Sequence, residues 1–411
     1  MKVIYFHQHY TDPNGTVGIR SYAMSRALAD QGHSVSIICG SYKGGDTGLH
    51  HSFKKGIRRG EVSNNIEVIE LELPYRNSDN FRQRSITFFK YVFSSVKLIF
   101  SESYDIVIAT STPLTVCIPG IFARWLKRKP FVFEVRDLWP ELPKAMKVIT
   151  NPIIIKLMST LEWISYYSAN HIIALSPGIA QGILKKGVPT EKISMIPNGC
   201  DTEIFNRATI SWRPKEINDT DFIAIYAGTH GIANGLDSVI DAALELKSRQ
   251  RTDIKFLLIG DGGLKKNLVD RAADMGLSNI IFMDPVNKKE LARLMAASDI
   301  GLQILKNLPA FYYGTSPNKF FDYISAGLPV LNNYPGWLSD IIEKYNCGFT
   351  VKPNNSSKFA DALVSAADDH LSLKIKAENA RNLAVTKFDR KILASEWVKK
   401  ILNVYSTEKR N

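Results

Sequence analysis

The chain has 411 residues, 45% hydrophobic and 22% charged, a globular composition that excludes disordered, collagen-like and disulfide-stapled proteins. Its length suffices for two domains of about 200 residues, each able to bury a core of its own. The net charge of +12 sits mostly in residues 1–200, which carry 24 Lys/Arg against 15 Asp/Glu, compared with 28 against 25 in residues 201–411, and such a basic half points to an anionic partner: a phosphorylated substrate, an anionic lipid or nucleic acid.

The opening MKVIYFHQHYTDPNG turns polar after Phe6, the pattern of a first strand and not of a secretory leader. Further compact runs follow at Val35–Cys39, Ile66–Leu71, Ile106–Ala109, Phe131–Val135, Ile172–Leu175 and Ile193–Ile196. After a core-poor stretch at Asn206–Thr220 the pattern restarts with Phe222–Ala227, Lys255–Ile259, Ile280–Met283, Ile300–Leu305, Pro329–Leu331 and Gly348–Val351. β-Branched runs separated by helix-length segments predict parallel sheets covered on both faces, hence an α/β protein of two Rossmann-like halves facing each other across a cleft. Cys39, Cys117, Cys200 and Cys347 are scattered, without CxxC or metal spacing, which fits a reducing cytoplasm. No run is long enough for a membrane span, so the protein is expected to be soluble or peripheral.

Both halves open with a strand, a glycine-bearing turn and a helix. The first runs through Gly15 and Gly18 into a helix with Tyr22, Leu28 and His33; the second runs through Gly228, Thr229, His230, Gly231 and Gly235 into a helix around Leu236–Leu246. Such turns let a phosphate approach the backbone at a helix N-terminus. Neither spacing is GxGxxG, no ribose-binding acid ends the second strand, and no Walker lysine follows, which argues against a nicotinamide, flavin or P-loop site.

The segment Ser316-Pro317-Asn318-Lys319-Phe320-Phe321-Asp322-Tyr323 predicts a helix with Pro317 in its first turn, an apolar stripe, and Gly327 at its end. Lys319 and Asp322, three residues apart, form either an i,i+3 surface ion pair or a nucleotide site, with Lys319 on a diphosphate and Asp322 on the ribose hydroxyls. Together with Gly260-Asp261-Gly262, Ala297-Ser298-Asp299, Gly32-His33-Ser34-Val35, Arg136-Asp137-Leu138-Trp139-Pro140-Glu141, Ser176-Pro177-Gly178 and Pro197-Asn198-Gly199, this segment resembles the family-4 retaining glycosyltransferases of GT-B fold over nearly the whole chain. The RDLWPE block and the SPNK segment are similar to bacterial N-acetyl-L-fucosamine transferases of surface-polysaccharide assembly.

The resemblance implies an acceptor domain over residues 1–205, a nucleotide-sugar domain over 206–387, and a last helix over 388–411 that returns to the first domain. It implies retaining transfer of an N-acetylated deoxy-amino sugar from UDP to a polyprenyl-diphosphate-linked saccharide, in O-antigen or capsule assembly, with neither metal nor cofactor. Arg136, Asp137 and Lys319 carry over as catalytic. Gly15, Gly18, Gly228, Thr229, His230, Gly260, Gly262, Lys265, Ser316, Pro317, Asn318, Lys319 and Asp322 carry over as donor-binding. The family's Glu-x7-Glu pair is altered to Gly314 and Asp322, and its Arg/Lys pair is replaced by Thr229, His230 and Asn234, leaving the diphosphate to Lys319 helped by Lys265. Arg136 stands where many relatives place a His. Glu134 and Asp137 are the polar groups expected on the wall of the first half, with a helix N-cap as the alternative for Asp137.

Ile86, Phe89, Phe93, Val96 and Phe100 make one stripe of a helical pattern, with Lys90 and Lys97 on the other side and Arg76, Arg82 and Arg84 beside it. This is either ordinary core or a membrane-surface helix, and a lipid-linked acceptor favours peripheral attachment to the inner face of the plasma membrane. A sugar-nucleotide epimerase, using His230, is the alternative on the same architecture. A nucleic-acid binder lacks any recognition motif.

Overall fold

A computed structural model describes residues 1–16, 18–76, 79, 81–206 and 209–410. Arg207 and Ala208, within the linker read at Asn206–Thr220, lie outside the described residues. The chain divides into two compact units, the first comprising Met1–Pro197, Gly314–Ser316 and Lys391–Asn411, the second Asn198–Tyr313 and Pro317–Arg390. The chain crosses between the units at Pro197/Asn198, Tyr313/Gly314, Ser316/Pro317 and Arg390/Lys391.

The first unit contains strands β1 (Lys2–Phe6), β2 (Ser34–Tyr42), β3 (Ile57–Ser63), β4 (Ile66–Tyr75), β5 (Ile106–Thr110), β6 (Phe131–Val135), β7 (His171–Ala174) and β8 (Ile193–Met195), in the order β3-β4-β2-β1-β5-β6-β7-β8. All neighbours are parallel except β3, which pairs antiparallel with β4. The sequence reading missed β3 because IRRGEVS is an edge strand with no buried residue, and so lacks an apolar run. The helix after β1 spans Arg20–Ala29, so His33 lies beyond it, in the turn at Gly32 and not on the helix as expected.

Two cores cover the sheet. One joins Phe6, Ile38, Tyr91, Phe131 and Ile172; the other joins Val3, Tyr5, Ile37, Ile108 and Ile196 to Leu393, Trp397, Val398 and Ile401 of the last helix, Arg390–Arg410. The chain thus comes back to its first unit to close a face that would otherwise expose β1, β2 and β5 to water, each buried aliphatic there contributing about 1.5–3 kcal/mol.

The second unit is wholly parallel: β9 (Phe222–Ala227), β10 (Ile254–Ile259), β11 (Ile280–Met283), β12 (Ile300–Gln303), β13 (Val330–Asn332) and β14 (Gly348–Thr350), ordered β11-β10-β9-β12-β13-β14. Its core gathers Ala224, Tyr226, Ile240, Phe256, Leu258, Leu302 and Leu363. In both sheets the order reverses beside the first strand, between β1 and β5 and between β9 and β12, and the loops leaving such a reversal form a crevice at the strand C-termini. All four cysteines are buried and free, and among the described residues no helix is long and apolar enough to cross a membrane.

Candidate active site

In the second unit the reversal is built from three pieces. The turn after β9 carries Gly228, Thr229 and His230, and the turn after β10 carries Gly260 and Gly262. The helix Asn318–Ala326 starts one residue later than expected, with Pro317 at its N-cap and no side chain capping its first amides. Gly327 ends it in the left-handed conformation, as the sequence suggests. The two turns touch: a Cβ at Gly260 would lie 1.9 Å from the Gly228 carbonyl oxygen. On its other side, Gly228 backs onto the end of Lys319, to whose Cε a Cβ at Gly228 would come within 3.2 Å.

Lys319 is the cation of this crevice. Its Nζ donates to the Tyr226 hydroxyl at 3.0 Å and stands 4.3 Å from that ring's centre. Asn234, in the amide orientation that satisfies both its atoms, accepts from Nζ at 3.1 Å and donates to the Thr229 carbonyl at 2.8 Å. These partners are all neutral, and burial lowers the Lys319 ammonium to about 7. An amine held this way gains a full charge when an anion arrives. The uncapped amides of its helix supply further donors for the same anion.

Asp322 faces elsewhere. Both of its oxygens accept from Lys288 Nζ, at 2.7 and 2.6 Å, and the pair is nearly sealed from water. Burial pushes the Asp322 carboxyl above its ordinary value against the pull of Lys288. The i,i+3 ion pair with Lys319 does not form. Asp201 and Arg390 make a second buried pair near it, with Arg390 also donating to the Gly199 carbonyl at 2.7 Å.

Lys265 is engaged by the Met283 carbonyl at 3.0 Å and by Asp284 at 2.6 Å. His230 is fully enclosed beneath the Gly260–Gly262 turn, where burial, then Lys265 and Lys319, lower its imidazole to about 4. Asn318 holds the first helical position, while Ser316, with Gly314, groups with the first unit.

In the first unit, the end of β1 and the end of β6 meet. His7 bonds Ser21 Oγ through Nδ1 at 2.8 Å and the Arg136 guanidinium through Nε2 at 3.3 Å. Because Arg136 can only donate, Nε2 is the acceptor and Nδ1 carries the proton. Burial, with Arg136 adding to it, holds His7 neutral, well below its ordinary value. Asp137 accepts from Thr112 Oγ1 at 3.0 Å, and burial raises it against Arg136 and Thr112. It caps no helix, since the next one, Glu141–Ala145, begins after Pro140.

Glu134 is not on the wall. It is wholly enclosed, accepting from Arg20 at 2.9 and 3.0 Å, Thr110 at 2.9 Å and Trp397 at 3.1 Å. Burial would raise its carboxyl, yet Arg20, helped by Arg136 and Thr110, holds it below the ordinary value. Gly15 packs inward as well, for a Cβ there would sit 2.0 Å from Thr11 Oγ1. Gly18 lies in the same loop, two residues before the helix.

The Phe stripe is not core. Phe89 and Phe93 are 68% and 66% exposed, and Ile86 and Phe100 are exposed too, whereas Tyr91, Ser95, Leu98 and Ile99 form the buried side of the helix Phe81–Ser101. Lys97 Nζ lies 4.3 Å from the centre of the Phe93 ring. Among the described residues no group of three or more His, Cys, Asp or Glu stands together as a metal site.

Two parallel Rossmann-like sheets in one chain, each with its crevice at a strand reversal, define the GT-B class. Solved structures agree over nearly full length. HepE from Anabaena, in complex with UDP and glucose, is 17% identical with a TM-score of 0.69, covering 98% of this chain and all of that one. WaaG, a glycosyltransferase involved in lipopolysaccharide biosynthesis, is 19% identical with a TM-score of 0.66, over 96% and 98% of the two chains.

Residues 17–204 match Glycosyltransferase Family 4 and residues 209–383 match Glycosyl transferases group 1, so the chain is a GT-B glycosyltransferase of the family-4-like kind. Among curated relatives, an Escherichia coli UDP-Gal:alpha-D-GlcNAc-diphosphoundecaprenol alpha-1,3-galactosyltransferase is 26% identical over 73% of this chain and 76% of its own length. The putative colanic acid biosynthesis glycosyl transferase WcaI of E. coli K12 is 22% identical over 80% and 82%. These matches favour glycosyl transfer over the epimerase reading.

Proposed function

We propose that the chain transfers a sugar from UDP to a polyprenyl-diphosphate-linked saccharide in surface-polysaccharide assembly, with retention at the anomeric carbon and without a metal. The observation that carries this reading is Lys319, an ammonium with only neutral partners, at the uncapped start of a helix beside Gly228. Charge develops on the diphosphate as the glycosidic bond breaks, and fixed N–H dipoles plus one lysine stabilise it there. The ribose role read for Asp322 is not carried over, because both of its oxygens are taken by Lys288 and the pair is nearly sealed from water. Arg136 and Asp137 are the candidate catalytic groups of the first unit. The relative named for a UDP-sugar donor and a diphosphoundecaprenol acceptor supports the substrate classes, and an N-acetylated deoxy-amino sugar is the donor sugar we infer from the RDLWPE and SPNK segments.

The exposed Phe89 and Phe93 with their lysines attach the enzyme to the inner face of the plasma membrane, where such an acceptor resides. Calorimetric titration with UDP, and with GDP and NAD as controls, in chelator, tests the donor site. UDP is expected to bind selectively and Lys319→Ala to weaken it; binding indifferent to Lys319 overturns the assignment.

A further inference from the structure

Arg136 stands one residue beyond β6, its backbone amide fixed by Ser111 Oγ at 3.0 Å, so its half-buried side chain leaves from a set position. A guanidinium carries five N–H donors. Among the described residues this one makes no ion pair and a single hydrogen bond, from its terminal nitrogen to His7 Nε2 at 3.3 Å. The acids beside it in sequence are engaged elsewhere, Glu134 by Arg20, Thr110 and Trp397, and Asp137 by Thr112. A carboxylate in the place of His7 would hold the guanidinium by its fork but would also cancel its charge. A neutral imidazole orients it and leaves the charge whole, as the phenol and amide do for Lys319.

The imidazole is itself set on two sides. His7 follows β1 directly, and its backbone amide extends the sheet by donating to the Ile38 carbonyl at 3.0 Å. It is 4% exposed, and its Nδ1 meets Oγ of Ser21, on the helix Arg20–Ala29, at 2.8 Å. With the proton on Nδ1, the lone pair of Nε2 is turned to Arg136; the other tautomer, or a second proton, would set N–H against N–H. His9, two residues on, stacks on the Tyr75 ring at 4.5 Å instead. We propose that His7 is a positioning residue for the transfer: through Nε2 it fixes the plane of the Arg136 guanidinium without taking its charge, and Ser21 selects the tautomer that allows this. The role in turnover rests on the reading of Arg136 as a catalytic group; the pair itself does not.

The test has two arms. Nitrogen NMR of imidazole-labelled protein at neutral pH, with the His7 signals assigned by their loss in His7→Gln, needs no substrate. It is expected to show His7 protonated at Nδ1 and bare at Nε2; a proton on Nε2 overturns the pair. The second arm measures transfer from UDP-N-acetyl-L-fucosamine to undecaprenyl-diphosphate-linked GlcNAc. Gln sets a side-chain oxygen about where Nε2 stands, whereas Asn ends at the level of Nδ1. His7→Asn is expected to lower kcat at least about tenfold with the donor KM within about threefold of wild type, and His7→Gln to restore most of the loss. Placed in Arg136→Met, His7→Asn should cost less than about twofold more, because the group it positions is gone. UDP titration is expected to be unchanged in every variant, which shows the second unit intact. An undiminished loss in the Arg136→Met background, or a Gln variant as poor as the Asn variant, overturns the proposal. Absence of transfer by the wild type removes the substrate reading and with it the role in turnover, while the tautomer still decides the pair.

Discussion

Each unit holds a cation at the strand ends of its sheet, and the two are solved in opposite ways. Arg20 has no exposure at all, and its charge is met by Glu134 and by the carbonyls of Ile196 and Pro197. Lys319 has a phenol and an amide, both neutral. A buried charge that is fully paired locks structure, and removing one partner strands the other. A desolvated charge left without a counter-ion keeps its binding energy for a ligand. The comparison gives Arg20–Glu134 a role in the fold and supports the substrate role we propose for Lys319.

The largest effect should come from breaking the paired side. Arg20→Met leaves Glu134 buried without its cation and is expected to cost about 3–5 kcal/mol, read as a fall in thermal midpoint. Trp397→Phe removes one donor to the same carboxylate and should cost a smaller amount, about 1–3 kcal/mol. On the unpaired side the pattern reverses. Lys319→Ala should leave the thermal midpoint nearly unchanged and weaken UDP by roughly ten- to a hundred-fold, the worth of one charged hydrogen bond of about 1.5–3 kcal/mol. Equal destabilisation by Arg20→Met and Lys319→Ala would erase the distinction. The smallest stability effect belongs to the exposed stripe: Phe89→Ser with Phe93→Ser should stay within about 0.5 kcal/mol per site. It should nevertheless release the protein from anionic vesicles while UDP binding persists. Unchanged sedimentation with vesicles would return the stripe to an incidental surface.

Much of the fold can be read from sequence because parallel strands buried on both faces are written as continuous apolar runs. Phe131–Val135 and Phe222–Ala227 begin and end where those runs do. Edge strand β3 is the counterexample. The anchor of the second-unit crevice was legible too, since Lys319 opens a helix whose Gly327 stop is local chemistry. Its partners were not, because Tyr226 lies 93 positions away and pairs with it only once β9 and the helix are packed together. Lys288 meets Asp322 across 34 positions for the same reason. Glu134 was read as a wall group because its face of β6 is closed by Trp397, 263 positions later, which no local pattern announces. His7 carried a faint signal, a polar residue immediately after the first strand, but its bond to Arg136 spans 129 positions.

The central claim is that Lys319 binds the diphosphate by gaining charge. Free, it titrates near 7; bound to a diphosphate, its pKa rises, so between those two values binding takes up a proton. Affinity should then fall as pH rises above 7, by up to about tenfold per pH unit, which is one proton per binding event. The direct measurement is UDP calorimetry at pH 8 in two buffers of different ionisation heat, on wild type and Lys319→Met. The account predicts nearly one proton taken up by wild type and none by the variant. Uptake that is absent in wild type, or that survives the substitution, would contradict it.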